Sequence, residues 1–274
     1  MPLTIRIRET SSIPLEVDTV QLDAVREQTA EQVAATLIQR GNEQVELGQF
    51  FDVSGSAGDD QIVWEGDCSR VKLIATHLSS GHVRVVGDAG MHLGAEMTGG
   101  TVIVEGNAAD WVGAEMHDGL IHIKGNAGHL VGAAYRGGRR GMTGGTILVD
   151  GNAGNEIGHT LRRGLIAIGG RVGDALAFNM IAGTILVFGD DVGIRAGAGM
   201  RRGTIVYFGN SPEMLPTFKS TGEFQPSFLK MYLDELKSHG FPVPLSALAT
   251  PFTRYNGDFL ETGKGEILLR EVSA

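Results

Sequence analysis

The sequence predicts an all-β protein that folds as a right-handed parallel β-helix, with about 19 residues in each coil. Three observations carry this prediction. Glycines recur at a nearly constant interval, apolar and polar residues alternate after each of these glycines, and apolar residues recur at further fixed offsets. A unit of this length cannot enclose a core alone, so successive units must stack and bury equivalent residues against one another.

The recurring glycines open each repeat unit. Their intervals are 19, 19, 26, 19, 19 and 20 residues, and the long interval is one unit plus a seven-residue insertion, 135–141. Six units and a seventh half-unit thus run to about Gly209, after a degenerate unit at Ile62-Val-Trp-Glu-Gly66. The glycines are Gly81, Gly100, Gly119, Gly145, Gly164, Gly183 and Gly203.

The five residues after each glycine predict a strand that is buried on one face, because their second and fourth places are apolar and mostly β-branched. The other places vary and include His82, Arg84, Glu105 and Lys124. The second places are Val83, Val102, Ile121, Ile147, Ile166, Ile185 and Ile205. The fourth places are Val85, Val104, Ile123, Val149, Ile168, Val187 and Tyr207.

Other residue types also stack from unit to unit. Asn107, Asn126 and Asn152 follow the second glycine of their units and predict an asparagine ladder at a left-handed corner. One apolar stack is Leu93, Val112, Val131, Ile157 and Leu176. Another is Met97, Met116, Met142, Leu161, Met180 and Met200, which we interpret as core filler rather than a cofactor site.

Competing folds fit the pattern less well. A leucine-rich repeat would show a Leu-x-x-Leu-x-Leu frame, and a propeller blade needs about 40 residues. The chain has 41 Gly and 8 Pro among 274 residues without a Gly-X-Y period, which excludes collagen and argues against disorder.

The segments on either side of the repeats predict three regions: 1–60, 61–210 and 211–274. The first is a cap in which 3–8 form a strand, and Thr29-x-x-Gln32 is a capping box ahead of a helical run from Val33 to Ile38. In the last region, Ser227 to Gly240 has the apolar spacing of a helix, and the rest is predicted to be an extended arm. Helix and arm are expected to pack on the solenoid or on a partner.

Composition limits the function classes. The net charge of −9 opposes general nucleic-acid binding, and the single Cys68 cannot form an intrachain disulfide or a thiolate cluster. The sequence shows no secretory signal at its start and no long apolar run, so a cytoplasmic location is expected. The histidines share no repeat offset, and no metal site is predicted.

Three patterns that resemble catalytic sites have simpler interpretations. Glu96 and Glu115 occupy one place on neighbouring coils, but later units replace them, so a solvated surface pair is favoured over a proton-sharing site. The Gly197-Ala-Gly199-Met-Arg-Arg-Gly203 stretch lacks the helix of a dinucleotide loop. Cys68 has no fixed His partner and is interpreted as a small buried apolar residue. No catalytic residue is predicted.

Seven arginines are predicted to share one edge of the solenoid. Two pairs occupy the same places two coils apart, about 10 Å along the corner, and three more lie in the insertion. Such an edge either binds an anionic ligand, which Arg suits through its forked donors, or is neutralised by acidic residues of a partner or of this chain's tail. The arginines are Arg136, Arg139, Arg140, Arg162, Arg163, Arg201 and Arg202.

Outward places in the later coils turn apolar and must be covered. The C-terminal helix covers them in one interpretation, and a partner subunit covers them in the other. These outward residues, which we call the apolar wall, are Leu148, Leu165, Ala167, Leu186, Phe188, Val206 and Phe208. The candidate interface residues among them are Leu148, Leu186, Phe188, Val206 and Phe208.

The repeat and its cap resemble known families. The corner Gly87-Asp-Ala-Gly90-Met-His-Leu-Gly94 is similar to the C-terminal β-helix domain of glutamate synthase large subunits. The 3–8 strand LTIRIR, the PLEVD segment 14–18 and the approach Gly48-Gln-Phe-Phe-Asp-Val, together with the repeats, resemble the C subunit of formylmethanofuran dehydrogenase from Leu3 to about Gly209.

The second resemblance implies a subunit without catalytic residues, in a complex with an amidohydrolase-like subunit and a tungsten or molybdenum subunit. A related bacterial complex pairs the hydrolase with a formyltransferase that moves the formyl group between tetrahydromethanopterin and a methanofuran-like carrier; the hydrolase then releases formate. The 17 Arg against 6 Lys lean towards this bacterial version. Methanofuran-type carriers have glutamate-rich tails, so the resemblance also implies that the seven arginines hold such a tail.

Two other classes stay open on the sequence alone. A β-helix enzyme would gather Asp, Lys and Arg on one sheet, which these short coils do not. A stand-alone structural module would be a soluble, inert monomer.

Overall fold

The computed structural model describes residues 1–9 and 11–270. The N-terminal cap combines short strands with two short helices and one 3₁₀ turn. Its capping box is present, since Thr29 and Gln32 each bond the other's backbone N–H. The cap contains β1 Leu3–Ile7, β2 Leu15–Glu16, α1 Leu22–Val25, α2 Ala30–Ala34, β3 Leu37–Arg40, β4 Glu43–Glu46, a 3₁₀ turn Leu47–Gln49 and β5 Phe51–Ser54.

The predicted helical run from Val33 to Ile38 was wrong in its second half. The helix ends at Ala34, and 37–40 form β3, which pairs with β4 through a two-residue loop that begins at Gly41. Gly41 has a φ of +61°, which suits the first loop position of a type II′ hairpin turn. Hairpin pairing has therefore overridden the helical pattern.

The repeats form the predicted stack of coils. Each opening strand pairs in parallel with the next, and Ile147 lies directly opposite Ile166 on the neighbouring strand. The same register continues from Ile166 to Ile185, so the fold class is confirmed. These opening strands are β6 Gln61–Glu65, β8 His82–Val86, β9 Thr98–Val104, β10 Asp118–Ile123, β11 Thr146–Val149, β12 Leu165–Ile168, β13 Thr184–Val187 and β14 Arg202–Tyr207. The short strand β7 Val71–Lys72 lies between β6 and β8 in the chain and pairs instead with β2, in a second sheet of order β4-β3-β2-β7.

The C-terminal segment does more than pack against the solenoid. Part of it becomes one more parallel rung, because β17 pairs with β14 and places Ile267 opposite Ile205. The prediction of an extended arm was therefore wrong for these residues, while the predicted helix is present. The elements are β15 Lys219–Phe224, α3 Leu229–Ser238, β16 Phe252–Gly257 and β17 Lys264–Arg270.

Both ends of the main sheet finish in antiparallel strands. Its order is β15-β16-β17-β14-β13-β12-β11-β10-β9-β8-β6-β1-β5, and the β1–β5 and β15–β16–β17 pairings are antiparallel. An open β-helix end exposes unpaired backbone groups and core, and these strands cover it.

The stacked apolar residues fill the interior as predicted. The methionine stack and the Leu93 stack are buried in every coil, and Cys68 lies in the same core. Burial raises the pKa of the Cys68 thiol to about 12, so this residue is an inert packing group.

The asparagine ladder exists, but its predicted left-handed conformation was wrong. Asn126 and Asn152 do not have positive φ; within one coil that conformation falls on Trp111, Gly113 and Glu115, at 66°, 60° and 53°. These alternate residues turn the coil at another corner. The ladder instead works by hydrogen bonding, since each side chain accepts the backbone N–H of the next coil, as from Asn152 to Asn126 at 2.8 Å.

Candidate functional site

Three of the seven predicted arginines come together in one pocket. Arg162, Arg201 and Arg202 line a depression of about 230 Å³, and Lys264 of β17 joins them. Ile181 and Ala182, from the coil between the two arginine rungs, lie in the same lining with Thr262. We call this depression the arginine pocket.

The coil geometry explains why these side chains meet. The backbone N–H of Arg162 donates to Met142, and that of Arg201 donates to Met180, at 2.9 and 2.8 Å. Equivalent places in the stack thus keep equivalent backbone bonds, so their side chains emerge at the same corner. Lys264 arrives beside them because it is the register partner of Arg202 on the last rung.

The arginine pocket is strongly cationic. One ion pair reaches it within the described residues 1–9 and 11–270: Arg201 Nε lies 3.3 Å from Glu261 Oε2. Arg162, Arg202 and Lys264 have no carboxylate within 4.0 Å in the same part of the chain. Several like charges held without counter-charges favour an anionic ligand with more than one negative group.

The other four arginines take different positions. Arg163, Arg139 and Arg140 are exposed side chains. Arg136 lines a second depression of about 250 Å³ with Trp111, Tyr135, Glu156 and His159, which we call the aromatic cleft. The structure thus distributes the seven arginines over more than one surface feature.

Tyr135 fixes the start of the insertion against the solenoid. Its backbone N–H donates to Glu115 Oε1 at 3.0 Å, and its hydroxyl lies 3.2 Å from His92 Nδ1. Its ring stacks on Trp111 with centroids 5.1 Å apart. Burial lowers the pKa of His92, with a smaller contribution from Lys72. Burial, with the charges of Glu96 and Glu115, raises the pKa of Tyr135 to about 12.

The apolar wall is covered by the chain's own C-terminal segment. Leu148, Leu186, Val206 and Phe208 are buried, and Phe188 is partly buried against them. Their cover includes Leu229, Leu233 and Leu236 of α3, with Phe241, Ala247 and Phe252, while Leu268 of β17 extends the wall beside Val206. These five side chains therefore do not form an open surface for a partner, and the intramolecular interpretation describes the structure.

A second ladder, which the repeat pattern did not reveal, runs beside the asparagine ladder. Asp110 accepts the backbone N–H of His129, whose ring nitrogen accepts that of Asn155, whose side chain accepts that of Asp174. The two ladders border a groove of about 610 Å³. The repeat spacing was available as a signal, but three residue types alternate in this ladder and hide it.

Among the described residues, no group of three or more His, Cys, Asp or Glu could hold a metal ion.

Several known proteins are similar to this chain, although no family model matches it. The C subunit of tungsten-containing formylmethanofuran dehydrogenase 2 from Methanococcus maripaludis is 45% identical over 267 residues, which are 97% of this chain and 95% of that protein. The corresponding subunit of Methanothermobacter thermautotrophicus is 42% identical over 92 residues, which are 32% of this chain and 34% of that one.

A solved structure extends the likeness to three dimensions. It is the X-ray crystal structure of the formyltransferase/hydrolase complex (FhcABCD) from Methylorubrum extorquens in complex with methylofuran. One of its chains superposes with a TM-score of 0.86 at 32% identity, and the match covers 98% of this chain and 100% of that chain.

These features define a parallel β-helix protein with capped ends, an apolar wall covered by its own helix, and a cationic corner pocket. The Methanococcus protein is 45% identical to this chain over 97% of its length, and a match of this extent shows the family. The chain belongs to the family of formylmethanofuran dehydrogenase C subunits.

Proposed function

We propose that this chain is a non-catalytic scaffold and carrier-binding subunit of a formyltransferase/hydrolase complex in tetrahydromethanopterin-linked one-carbon metabolism, and that it works in the cytoplasm. In this complex a formyl group passes to a methanofuran-like carrier and leaves as formate. The observation that carries the proposal is the superposition, over nearly all of both chains, on a chain of a complex of this kind that holds methylofuran.

The proposed partners are an amidohydrolase-like hydrolase subunit and a formyltransferase subunit. The β-helix contributes a rigid surface on which these subunits are arranged around one carrier. None of the helices in residues 1–9 and 11–270 is long and apolar enough to cross a membrane.

The second candidate is the C subunit of a tungsten or molybdenum formylmethanofuran dehydrogenase. The 45% identity to the Methanococcus protein favours it, because that protein is named as a tungsten-containing enzyme's subunit. The two candidates differ in one measurable property, since only the dehydrogenase contains a metal-dependent redox subunit.

Purification of the native chain from its own cells tests both candidates. We expect a tag on this chain to retain a hydrolase-like and a formyltransferase subunit, without tungsten or molybdenum in the elemental analysis. Stoichiometric tungsten or molybdenum would favour the dehydrogenase. A chain that purifies alone, or that hydrolyses formyl carrier by itself, would contradict the scaffold proposal.

The carrier is proposed to dock through its glutamate-rich tail on the arginines, with the arginine pocket as the main anchor. Each carboxylate–guanidinium contact is weak in water, but several on one tethered chain act together through effective concentration. The reactive amine end of the carrier then stays free to move between the partner active sites.

Substitution of the pocket arginines tests this docking in the purified complex. The double variant R162A/R202A should lower the glutamate that stays with the complex after a salt wash, by at least several-fold. The pair R139A/R140A tests the insertion in the same way. Arg84→Ala is the matched control, because Arg84 is 58% exposed and pairs with Glu105 in an early coil.

The competing interpretation is that acidic residues of a partner subunit neutralise these arginines. It predicts that R162A/R202A weakens subunit association while the glutamate content per assembled complex stays constant. Gel filtration of the variant complexes, combined with amino-acid analysis, separates the two outcomes.

A further inference from the structure

A short turn of the C-terminal segment forms one rim of the arginine pocket. This turn, 258–263, is anchored by Asp258, which is 3% exposed. The Asp258 carboxylate accepts the backbone N–H of Gly199 at 3.1 Å and that of Leu260 at 2.9 Å. The turn is therefore held in place by a buried polar contact with the coil that carries Arg201.

The turn presents one carboxylate to Arg201, one of the residues that line the pocket. The backbone N–H of Glu261 donates to the Asp258 carbonyl at 3.1 Å, and Glu261 Oε2 lies 3.3 Å from Arg201 Nε. The hydroxyl of the next residue, Thr262, donates to the Arg201 carbonyl. The chain itself thus places a carboxylate where an external anion would bind Arg201.

We propose that Glu261 is a resident carboxylate that competes with anionic ligands for Arg201, so that the pocket accepts carboxylate chains and rejects single carboxylates. This inference rests on the proposed function, in which the same pocket holds a glutamate-rich tail. It adds a selectivity residue that lies outside the seven arginines.

The Arg201–Glu261 ion pair is exposed enough for a ligand to displace Glu261. The Arg201 and Glu261 side chains are 60% and 38% exposed, and ion pairs of that kind contribute little net free energy because water screens them. A ligand that also contacts Arg162, Arg202 and Lys264 gains enough to displace Glu261. A single carboxylate must instead compete with a group that is already tethered beside Arg201.

Fluorescence anisotropy on the full chain tests the proposal with fluorescein-labelled hexaglutamate as the probe, at physiological ionic strength. Glu261→Gln should tighten hexaglutamate binding about two- to fivefold. It should also improve competition by acetate, a single carboxylate that the wild-type chain is expected to resist. In an Arg201→Ala background, Glu261→Gln should change the affinity by less than about twofold, since the guanidinium for which Glu261 competes is gone.

Glu27→Gln is the matched control for net charge. Glu27 is exposed in the N-terminal cap, at the opposite end of the stack from β17. The separation is many strand spacings and several Debye lengths at physiological salt, so this change should leave the affinity within about 1.5-fold of wild type. Thermal melts of every variant check that the fold is retained.

The outcomes distinguish the two proposals. If R162A/R202A weakens hexaglutamate binding and Glu261→Gln behaves like Glu27→Gln, the resident carboxylate is refuted and the proposed function stands. A loss of affinity in Glu261→Gln also refutes it, since Glu261 would then orient Arg201 for the ligand. If R162A/R202A leaves binding unchanged, the pocket itself is not the site and both proposals fail.

Discussion

At the scale of single residues, the group formed by His92, Trp111 and Tyr135 shows how the insertion is tied to the coils. The Tyr135 hydroxyl can donate to His92 Nδ1 while that nitrogen is unprotonated, and burial favours the neutral ring. The hydrogen bond and the lowered pKa of His92 therefore support the same neutral state.

This state predicts a pH dependence of stability. The pKa of His92 is lowered in the folded chain from its ordinary 6.5, so the unfolded chain binds the proton first as the pH falls. The stabilisation is present above about pH 6.5 and is lost as the pH drops through the folded-state pKa. His92→Asn keeps an acceptor for Tyr135 and removes this titration, and Asn tolerates the left-handed backbone at this position.

Urea unfolding between about pH 7.5 and pH 5 measures the effect. The midpoint of wild type should fall more steeply with acidification than that of His92→Asn. Parallel pH profiles for the two proteins would contradict the assignment.

Residue-level prediction from the sequence succeeded where one residue type repeats. The Asn107, Asn126 and Asn152 ladder was visible because the same side chain recurs at the repeat spacing. The second ladder passes through Asp, His and Asn, which share only the ability to accept a backbone N–H. Its hydrogen-bonding role emerges from the coil geometry and not from composition.

At the scale of elements, the left-handed corner constrains which residues the coil accepts. Gly113 has a φ of +60°, and a Cβ there would lie 2.5 Å from Ile147 Cδ1 in the core. Gly137 in the insertion has a φ of +87°, and a Cβ there would meet no atom within 4 Å. Both glycines need a backbone with positive φ, but only Gly113 is packed so closely that a Cβ would clash.

Alanine substitutions at these two glycines should therefore differ in cost. Gly113→Ala is expected to destabilise the fold by about 3 kcal/mol, from backbone strain and overpacking. Gly137→Ala is expected to cost about 1 kcal/mol, from the backbone alone. Denaturant unfolding of both variants checks this, and equal losses would show that packing at the corner has little energetic weight.

The C-terminal cover gives a second test at this scale. Leu236 of α3 is fully buried against the apolar wall, whereas Met231 on the same helix is 65% exposed. Leu236→Ala should cost about 2–4 kcal/mol through the cavity that it leaves. Met231→Ala should stay within about 0.5 kcal/mol of wild type. A small loss for Leu236→Ala would mean that the cover contributes little to stability.

Element prediction failed mainly where the repeat is interrupted. The rung β17 begins at Lys264, far along the chain from the end of β14 at Tyr207, so the spacing rule did not reach it. A local signal was nevertheless present, because Ile267 and Leu269 follow Gly265 at the same offsets as the core places in earlier units. Sequence periodicity detects strands that recur at a constant interval. A strand that follows a long intervening segment, as β17 does, is missed.

At the scale of the whole molecule, the segment between β14 and β17 completes the candidate site. After β14 the chain leaves the stack, forms β15, lays α3 over the apolar wall, adds β16 beside β15, and returns as β17. That return brings Lys264 and Glu261 to Arg201 and Arg202. The sequence predicted the arginine stack from its repeat places, but the added cation and carboxylate depend on the path of the tail.

The stack also explains how an acidic chain can carry a site suited to the proposed acidic ligand. The net charge of −9 repels anions at long range, yet stacking concentrates cations from successive rungs at one corner. Over a few ångströms those cations outweigh the distant charges, because salt screens interactions beyond about 10 Å. The proposed selectivity is therefore a local property of the arginine pocket.

The most direct test of the carrier-binding role is electron cryomicroscopy of the complex purified through this chain, with its carrier retained. We predict an ordered chain of carboxylates in the arginine pocket, within hydrogen-bonding distance of Arg162, Arg202 and Lys264, while Glu261 has moved off Arg201. A carrier tail that is ordered on another surface, with the pocket filled by acidic side chains of a partner subunit, would contradict this role.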